Sequence, residues 1–219
     1  MTRNAEHYTL PAWPDFSFEQ TLWENGLLYV AGVDEAGRGA LAGPVAAGVV
    51  VFEARRFEPA MLRGVRDSKQ MTPHNRTSWS ARLRELALAW GVGYASPQEI
   101  DEKGIVPATR LAIYRALESL PVIPQHLLVD FLRLPECKIL HTPIVKGDAR
   151  SLSIAAASIL AKTTRDALMT ALESQYPGYG FTRHKGYGTL AHRRALERLG
   201  PCPIHRRSFA PLKMLEKEF

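Results

Sequence analysis

Two apolar runs, Leu27–Val33 and Val45–Phe52, lie close together near the start of the chain. Each has the length and branched-residue content of a buried strand, and together they predict two strands joined by a tight corner. A polar loop, Glu53 to Met71, follows. The pattern then changes period. Thr72-Pro73 is a helix start, because Thr accepts from the first turn and Pro suits the first helical position. Leu83, Leu86, Ala87 and Trp90 give that helix one apolar face, and Gly91 stops it. Val92–Ala95 is a short strand, and Ser96-Pro97 opens a helical turn through Glu102. Val106-Pro107 opens a further helix with Leu111, Tyr114, Ala116 and Leu117 spaced for burial, ended by Pro121. Leu127–Phe131 and Lys138–Val145 read as strands. A long helix runs from Ser151 to Ser174 with small residues at Ala155, Ala156, Ala157 and Ser158, which allow close approach to a sheet. Tyr176–Tyr187 reads as a loop, and Thr189 caps a last helix ending at Leu199 before Gly200-Pro201. An early strand pair followed by strand–helix alternation predicts an α/β fold with a mixed β-sheet flanked by helices. Residues 1–26 show no sustained period and are expected to be a loosely packed N-terminal extension ahead of one domain spanning 27–219.

The 219 residues suffice for one domain with a real core, and 46% are hydrophobic, which excludes a disordered chain. No apolar run is long enough to span a bilayer and the first residues lack a signal-peptide core, so a cytoplasmic location without membrane contact is expected. The two cysteines, Cys137 and Cys202, lack zinc-ligand spacing and are expected to be ordinary thiols. The net charge is +6, and it is localised. From Arg183 to the C-terminus there are nine basic residues against three acids, so this segment (about 183–219) carries the whole excess. A basic end beside an acidic centre fits a polyanionic partner, although a solubilising surface has the same composition.

The acids supply the candidate chemistry. Asp34-Glu35 ends the first apolar run, Asp130 ends another, and Asp148 sits in the corner Lys146-Gly147-Asp148 before the long helix. Neighbouring residues of a regular strand point to opposite faces, so either the backbone departs from regular geometry at Asp34-Glu35 or one acid contributes differently from the other. If the strands are neighbours, the acids converge at one sheet edge. An all-oxygen set suits Mg²⁺ or Mn²⁺, and two such ions are the usual device for phosphodiester hydrolysis. Simpler readings stand beside this one: a solvated acidic turn for the pair and an N-cap for Asp148.

Seven blocks carry a resemblance. They are Val33-Asp34-Glu35-Ala36-Gly37-Arg38-Gly39, Asp67-Ser68-Lys69, Leu128-Val129-Asp130, Val145-Lys146-Gly147-Asp148, Ala155 to Lys162, His184-Lys185-Gly186-Tyr187-Gly188-Thr189, and His205-Arg206-Arg207-Ser208-Phe209. In this order over roughly residues 28–213 they resemble bacterial ribonuclease HII. The resemblance implies an RNase H-like fold with a C-terminal helical cap. It implies Asp34, Glu35, Asp130 and Asp148 as the catalytic set holding two Mn²⁺ or Mg²⁺ ions, with Asp34 bridging both. The Gly37-Arg38-Gly39 corner would contact a ribonucleotide and its 2′-hydroxyl, which distinguishes RNA from DNA. Tyr187 would pack on the adjoining sugar, and Lys69 would hold a phosphate near the scissile bond. His184, Lys185, Arg206 and Arg207 would track backbone phosphates. Taken singly, Lys69 reads first as a surface lysine and Tyr187 as a core-edge filler. One departure stands out: Phe131 follows the third acid where many relatives of this family have glycine.

The expected activity is an endoribonuclease acting on RNA–DNA hybrids and on duplex DNA containing ribonucleotides, with a role in ribonucleotide removal and primer processing. A module that binds hybrids without cutting has no need of four acids. A DNA exonuclease of the same superfamily has no need of a 2′-hydroxyl sensor.

Overall fold

The apolar runs at the start of the chain form the middle of a five-stranded sheet. The computed structural model describes residues 10–54 and 59–215. Strand β1 (Tyr29–Ala36) pairs antiparallel with β2 (Val45–Glu53), which pairs antiparallel with β3 (Ala89–Ala95). On its other side β1 pairs parallel with β4 (His126–Asp130), and β4 pairs parallel with β5 (Leu140–Ile144). The order is β3-β2-β1-β4-β5. Every residue of β2 from Val45 to Phe52 is buried, as expected where helices cover both faces.

The two faces alternate along β2. Val45, Ala47, Val49 and Val51 pack with Ala108, Ala112, Ile113 and Ala116 of helix α4 (Ile105–Glu118). Val50 and Phe52 pack with Leu152, Ala155, Ala156 and Ile159 of helix α5 (Leu152–Gln175). Both helices sit unusually close to the sheet because glycines lie beneath them. A Cβ on Gly48 would fall 2.5 Å from the Ala157 carbonyl oxygen, and one on Gly32 would fall 2.0 Å from the Ser153 carbonyl carbon. Ser151 caps α5, its side chain accepting from the Ile154 amide. Between β2 and α4 lie α2 (Pro73–Leu86), capped by Thr72 as expected, and α3 (Pro97–Lys103), opened by a capping box between Ser96 and Glu99.

The C-terminal region forms a helical cap. It comprises α6 (Phe181–His184), α7 (Leu190–Leu199) and α8 (Leu212–Leu215), with Thr189 accepting from the His192 amide at the start of α7. Its core joins Phe181, Leu196 and Leu212 to Leu41 and Ala42 of the β1–β2 connection and to Met169 of α5. Cys137 and Cys202 are both free thiols.

Three expectations are corrected. Helix α2 stops at Leu86 and does not reach Trp90, because residues 89–95 pair along the whole of β2's outer edge and Trp90 lies opposite Val50. The segment expected as a loop over 176–187 contains the short α6. The N-terminal extension does not pack loosely where it is described. Helix α1 (Ser17–Glu24) docks on the sheet, Phe16 is buried against Phe52 and Trp23, and Glu19 is wholly buried. Glu19 Oε1 accepts from Ser151 Oγ at 2.6 Å and from the Ser153 amide at 3.0 Å, at the start of α5. An anionic group at a helix N-terminus satisfies donors that have no intrahelical partner. Residues 1–9 lie outside the described residues.

Candidate active site

Parallel pairing creates the site. Val33 lies opposite Val129, so the next residues, Asp34 and Asp130, emerge side by side at the carboxyl ends of β1 and β4. Asp130 in turn lies opposite Ile144, the last residue of β5. The chain then turns through Lys146, in the left-handed region at φ 53°, into Gly147, and delivers Asp148. Asp130 Oδ1 accepts from the Gly147 amide at 2.7 Å, which ties the second acid to the turn bearing the third. One oxygen from each of Asp34, Asp130 and Asp148 lies within 4.8 Å of the others.

The acidic pair does not sit beyond the strand as expected. Strand β1 continues regularly through it, with Asp34 opposite Gly48 and Glu35 opposite Ala47. Alternation therefore turns Asp34 to the face covered by α5 and Glu35 to the other. Glu35 is outside the three-aspartate group. Its Oε1 accepts from Arg38 Nη1 at 3.1 Å.

Crowding and burial disfavour charge here. The Asp34 carboxyl is pushed well above the ordinary range by burial and then by Glu35, Asp130 and Asp148. Asp130 is raised to about 6, mainly by burial, against the stabilising Gly147 amide. Burial also raises Asp148, followed by the charge of Asp67, and raises Glu35 against the opposing charge of Arg38. Lys69 Nζ reaches Asp148 Oδ2 at 3.3 Å while its side chain stays 75% exposed. Burial works to lower the Lys69 pKa, but Asp148, Asp67 and Asp34 raise it overall. A cluster of buried carboxylate oxygens with one nearby ammonium is short of positive charge, and its all-oxygen donor set fits a hard divalent cation.

Phe131 leaves the turn beside Asp130 intact. It adopts φ 57°, as glycine would, with its side chain 64% exposed. A bulky residue in that region carries strain of about 1 kcal/mol or more.

The Gly37-Arg38-Gly39 corner leads from β1 into the loop that docks on the cap. Gly37 has φ 89°, and a Cβ there would lie 2.0 Å from Arg165 Nε, so only glycine fits. Ala40 pairs with Tyr187, which brings the half-buried tyrosine beside the corner. Lys162 Nζ lies 5.2 Å and the Arg165 guanidinium 5.4 Å from the Tyr187 ring centre.

The expected phosphate track is corrected at two positions. His184 is 9% exposed, with Nε2 against the Tyr179 carbonyl at 2.8 Å, and it stacks on His192. Arg206 is 0% exposed and donates to the carbonyls of Gly37, Arg38 and Gly43. Both are enclosed by the cap and cannot reach a strand of nucleic acid. Lys185 is half-buried, its Nζ donating to Thr170 Oγ1 at 2.6 Å, and Arg207 is exposed. Sequence reasoning missed Arg165, a wholly buried arginine in the middle of α5. Its sequence signal is faint: a lone arginine seven residues beyond the small residues Ala155 to Ser158.

Comparison with known proteins agrees with this geometry. The family model described as Ribonuclease HII matches residues 31–212. A ribonuclease HII from Synechococcus sp. (strain JA-3-3Ab) is 53% identical over 203 residues, covering 93% of this chain and 91% of that protein. The crystal structure of ribonuclease H2 from Pyrococcus horikoshii OT3 superposes with a TM-score of 0.73 at 30% identity, covering 87% of this chain and 98% of that one. A structure of Bst-RNase HIII in complex with Mn²⁺ shares the fold, with a TM-score of 0.64 at 19% identity over 87% of this chain and 70% of that one. No helix among the described residues is long and apolar enough to cross a membrane.

Proposed function

The chain belongs to the ribonuclease HII family, endonucleolytic ribonucleases H, and from that premise we propose that it hydrolyses the RNA strand of RNA–DNA hybrids and cuts on the 5′ side of a ribonucleotide, including a single one embedded in duplex DNA. The products would carry 5′-phosphate and 3′-hydroxyl ends. The observation that carries this reading is the convergence of Asp34, Asp130 and Asp148, the first of them borne on β1 three residues before the Gly37-Arg38-Gly39 corner.

Asp34, Asp130 and Asp148 would hold Mg²⁺ or Mn²⁺, while Glu35, turned to the other face of β1 and paired with Arg38, would act on the site through its charge. Two such ions bound there supply an activated water and neutralise the leaving oxygen. The protein's own groups do the rest. Burial of the aspartates excludes competing water and makes each charge count for more. Lys69, exposed but anchored by Asp148 and Asp67, is placed to meet the scissile phosphate and to balance the cluster. The corner approaches the sugar with its backbone, and Tyr187 closes on the neighbouring sugar. The basic surface residues Lys185 and Arg207 would meet phosphates further along the duplex. Removal of misincorporated ribonucleotides and primer remnants is the role such chemistry serves.

The test is end-group analysis on a duplex with one ribonucleotide, labelled at either end, in Mg²⁺ and in Mn²⁺. A 3′-hydroxyl on the DNA fragment upstream of the ribonucleotide is expected. A 2′,3′-cyclic phosphate would show that the 2′-hydroxyl attacks and that the metal-site assignment is wrong, and a cut on the 3′ side with ordinary ends would refute the 5′-side assignment.

A further inference from the structure

The β1–β2 corner is held from beneath by two arginines, both 0% exposed. Arg206 donates from Nη2 to the Gly37 carbonyl at 2.7 Å, from Nη1 to the Arg38 carbonyl at 2.8 Å, and from Nε to the Gly43 carbonyl at 3.0 Å. Arg165 donates from Nε to the Pro44 carbonyl at 2.8 Å, from Nη2 to the Ala42 carbonyl at 3.0 Å, and from Nη1 to the Lys185 carbonyl at 2.9 Å. All but the last of these acceptors lie within residues 37–44. Burying two guanidinium groups side by side is costly. Arg206 is pushed down to about 9 by burial and then by the charge of Arg165.

The fork of Arg206 has a directional consequence. In a trans peptide the N–H points opposite to the C=O. With the carbonyls of Gly37 and Arg38 drawn inward onto Arg206, the amides of Arg38 and Gly39 are aimed outward. Gly39 is exposed on that outward side. It is not among the positive-φ residues, and no described atom lies within 4 Å of where its Cβ would stand. Neither the backbone nor packing calls for glycine there, so the cleared space serves something outside the chain. The carbonyl-bound charges also polarise these peptide units and strengthen their outward donors.

We propose that Arg165 and Arg206 are positioning residues for ribonucleotide recognition, a buried double clamp that fixes the corner so that the Arg38 and Gly39 amides meet the 2′-hydroxyl. This rests on the proposed role of the corner as the ribose sensor. Lysine keeps the charge at either position but loses the fork. The experiment compares the affinity of each protein, without divalent metal, for a duplex containing one ribonucleotide and for the matched all-DNA duplex. For Arg206→Lys and Arg165→Lys the affinity ratio is expected to fall about tenfold, with all-DNA affinity held within about twofold. A simple loss of folded protein would weaken both duplexes equally. A folded variant that keeps the full ratio overturns the proposal.

Gly39→Ala separates the two levels. If it abolishes the ratio while the lysine variants keep it, the clamp is wrong and the sensor stands; if it too keeps the ratio, the corner is not the sensor. Should the lysine variants not fold, the wild-type protein decides. The arginine Nε–H resonances of Arg165 and Arg206 are expected to shift on adding the ribonucleotide duplex and not the DNA duplex, and identical responses to both refute the clamp.

Discussion

Replacing Asp34 by Asn is expected to make the metal-free protein more stable while destroying its activity. Asp34 is 5% exposed, and its oxygen lies within 4.8 Å of oxygens of both Asp130 and Asp148. At an effective dielectric of about 20, each such like-charge pair costs about 3.5 kcal/mol. Proton uptake limits the total. Burial and the neighbouring carboxylates raise the Asp34 pKa well above 3.8, so part of the repulsion is relieved by a bound proton, and Lys69 screens part of the field. A net gain of about 2–4 kcal/mol follows for the variant at pH 8, or roughly 5–15 °C in Tm for a chain of this size. The Asn Oδ1 retains the acceptor for the Glu35 amide, which Asp34 Oδ1 meets at 2.7 Å, so that amide keeps its partner. The sign with pH follows from the raised pKa. The folded state binds the proton more tightly than the unfolded chain, so wild-type stability falls as pH rises from about 3.8 towards the elevated folded value. The advantage of the variant should therefore shrink to below about 2 kcal/mol at pH 5. Thermal melts in chelator at pH 8 and pH 5, repeated with excess Mn²⁺, read all of this. Wild type should gain with metal by mass action, and the variant should gain far less. A variant no more stable than wild type at pH 8, or with an equal advantage at both pH values, would refute the crowded-carboxylate account.

Other outcomes follow from the packing. Glu19→Ala removes the acceptor shared by Ser151 and the Ser153 amide and is expected to lower stability in urea by about 2–4 kcal/mol, with Glu19→Gln costing much less. Gly48→Ala places a methyl 2.5 Å from the Ala157 carbonyl oxygen, and the lifted α5 should cost about 1–3 kcal/mol and reduce cleavage by displacing the Asp148 turn. His192 and His205, whose Nε2 atoms lie 3.0 Å apart, are each held down to about 4 by burial first. Their ring protons should titrate near pH 4 by NMR, with cap stability lost as pH falls from about 6.5 to 4; a midpoint above 6 would contradict the buried pairing.

The sheet was legible because β1 and β2 are buried on both faces and so read as unbroken apolar runs. Capping residues marked the starts of α2, α3 and α7. The end of α2 was misread because Trp90 fits a helical face as well as a strand; only the free edge of β2 decides between them. The convergence of Asp34, Asp130 and Asp148 followed from three acids each placed after an apolar strand, given parallel neighbours. Glu35 could be assigned a face only once β1 was seen to run straight through the pair. The resemblance implies Arg206 and His184 as phosphate contacts, and nothing in the basic segment marks them as buried. What buries them is a set of main-chain carbonyls, and carbonyls leave no mark in a sequence. The same holds for Arg165, and for Glu19, whose partners lie more than a hundred residues away.

The most direct measurement is the cleavage rate, in Mg²⁺ or Mn²⁺, on two labelled duplexes identical except for one 2′-hydroxyl. Cleavage confined to the ribonucleotide duplex, at its 5′ side, and lost in Asp34→Asn is the expected result. Equal cutting of both duplexes would leave the aspartate site standing and contradict ribose recognition by the corner, and cutting by Asp34→Asn at the wild-type rate would contradict the site itself.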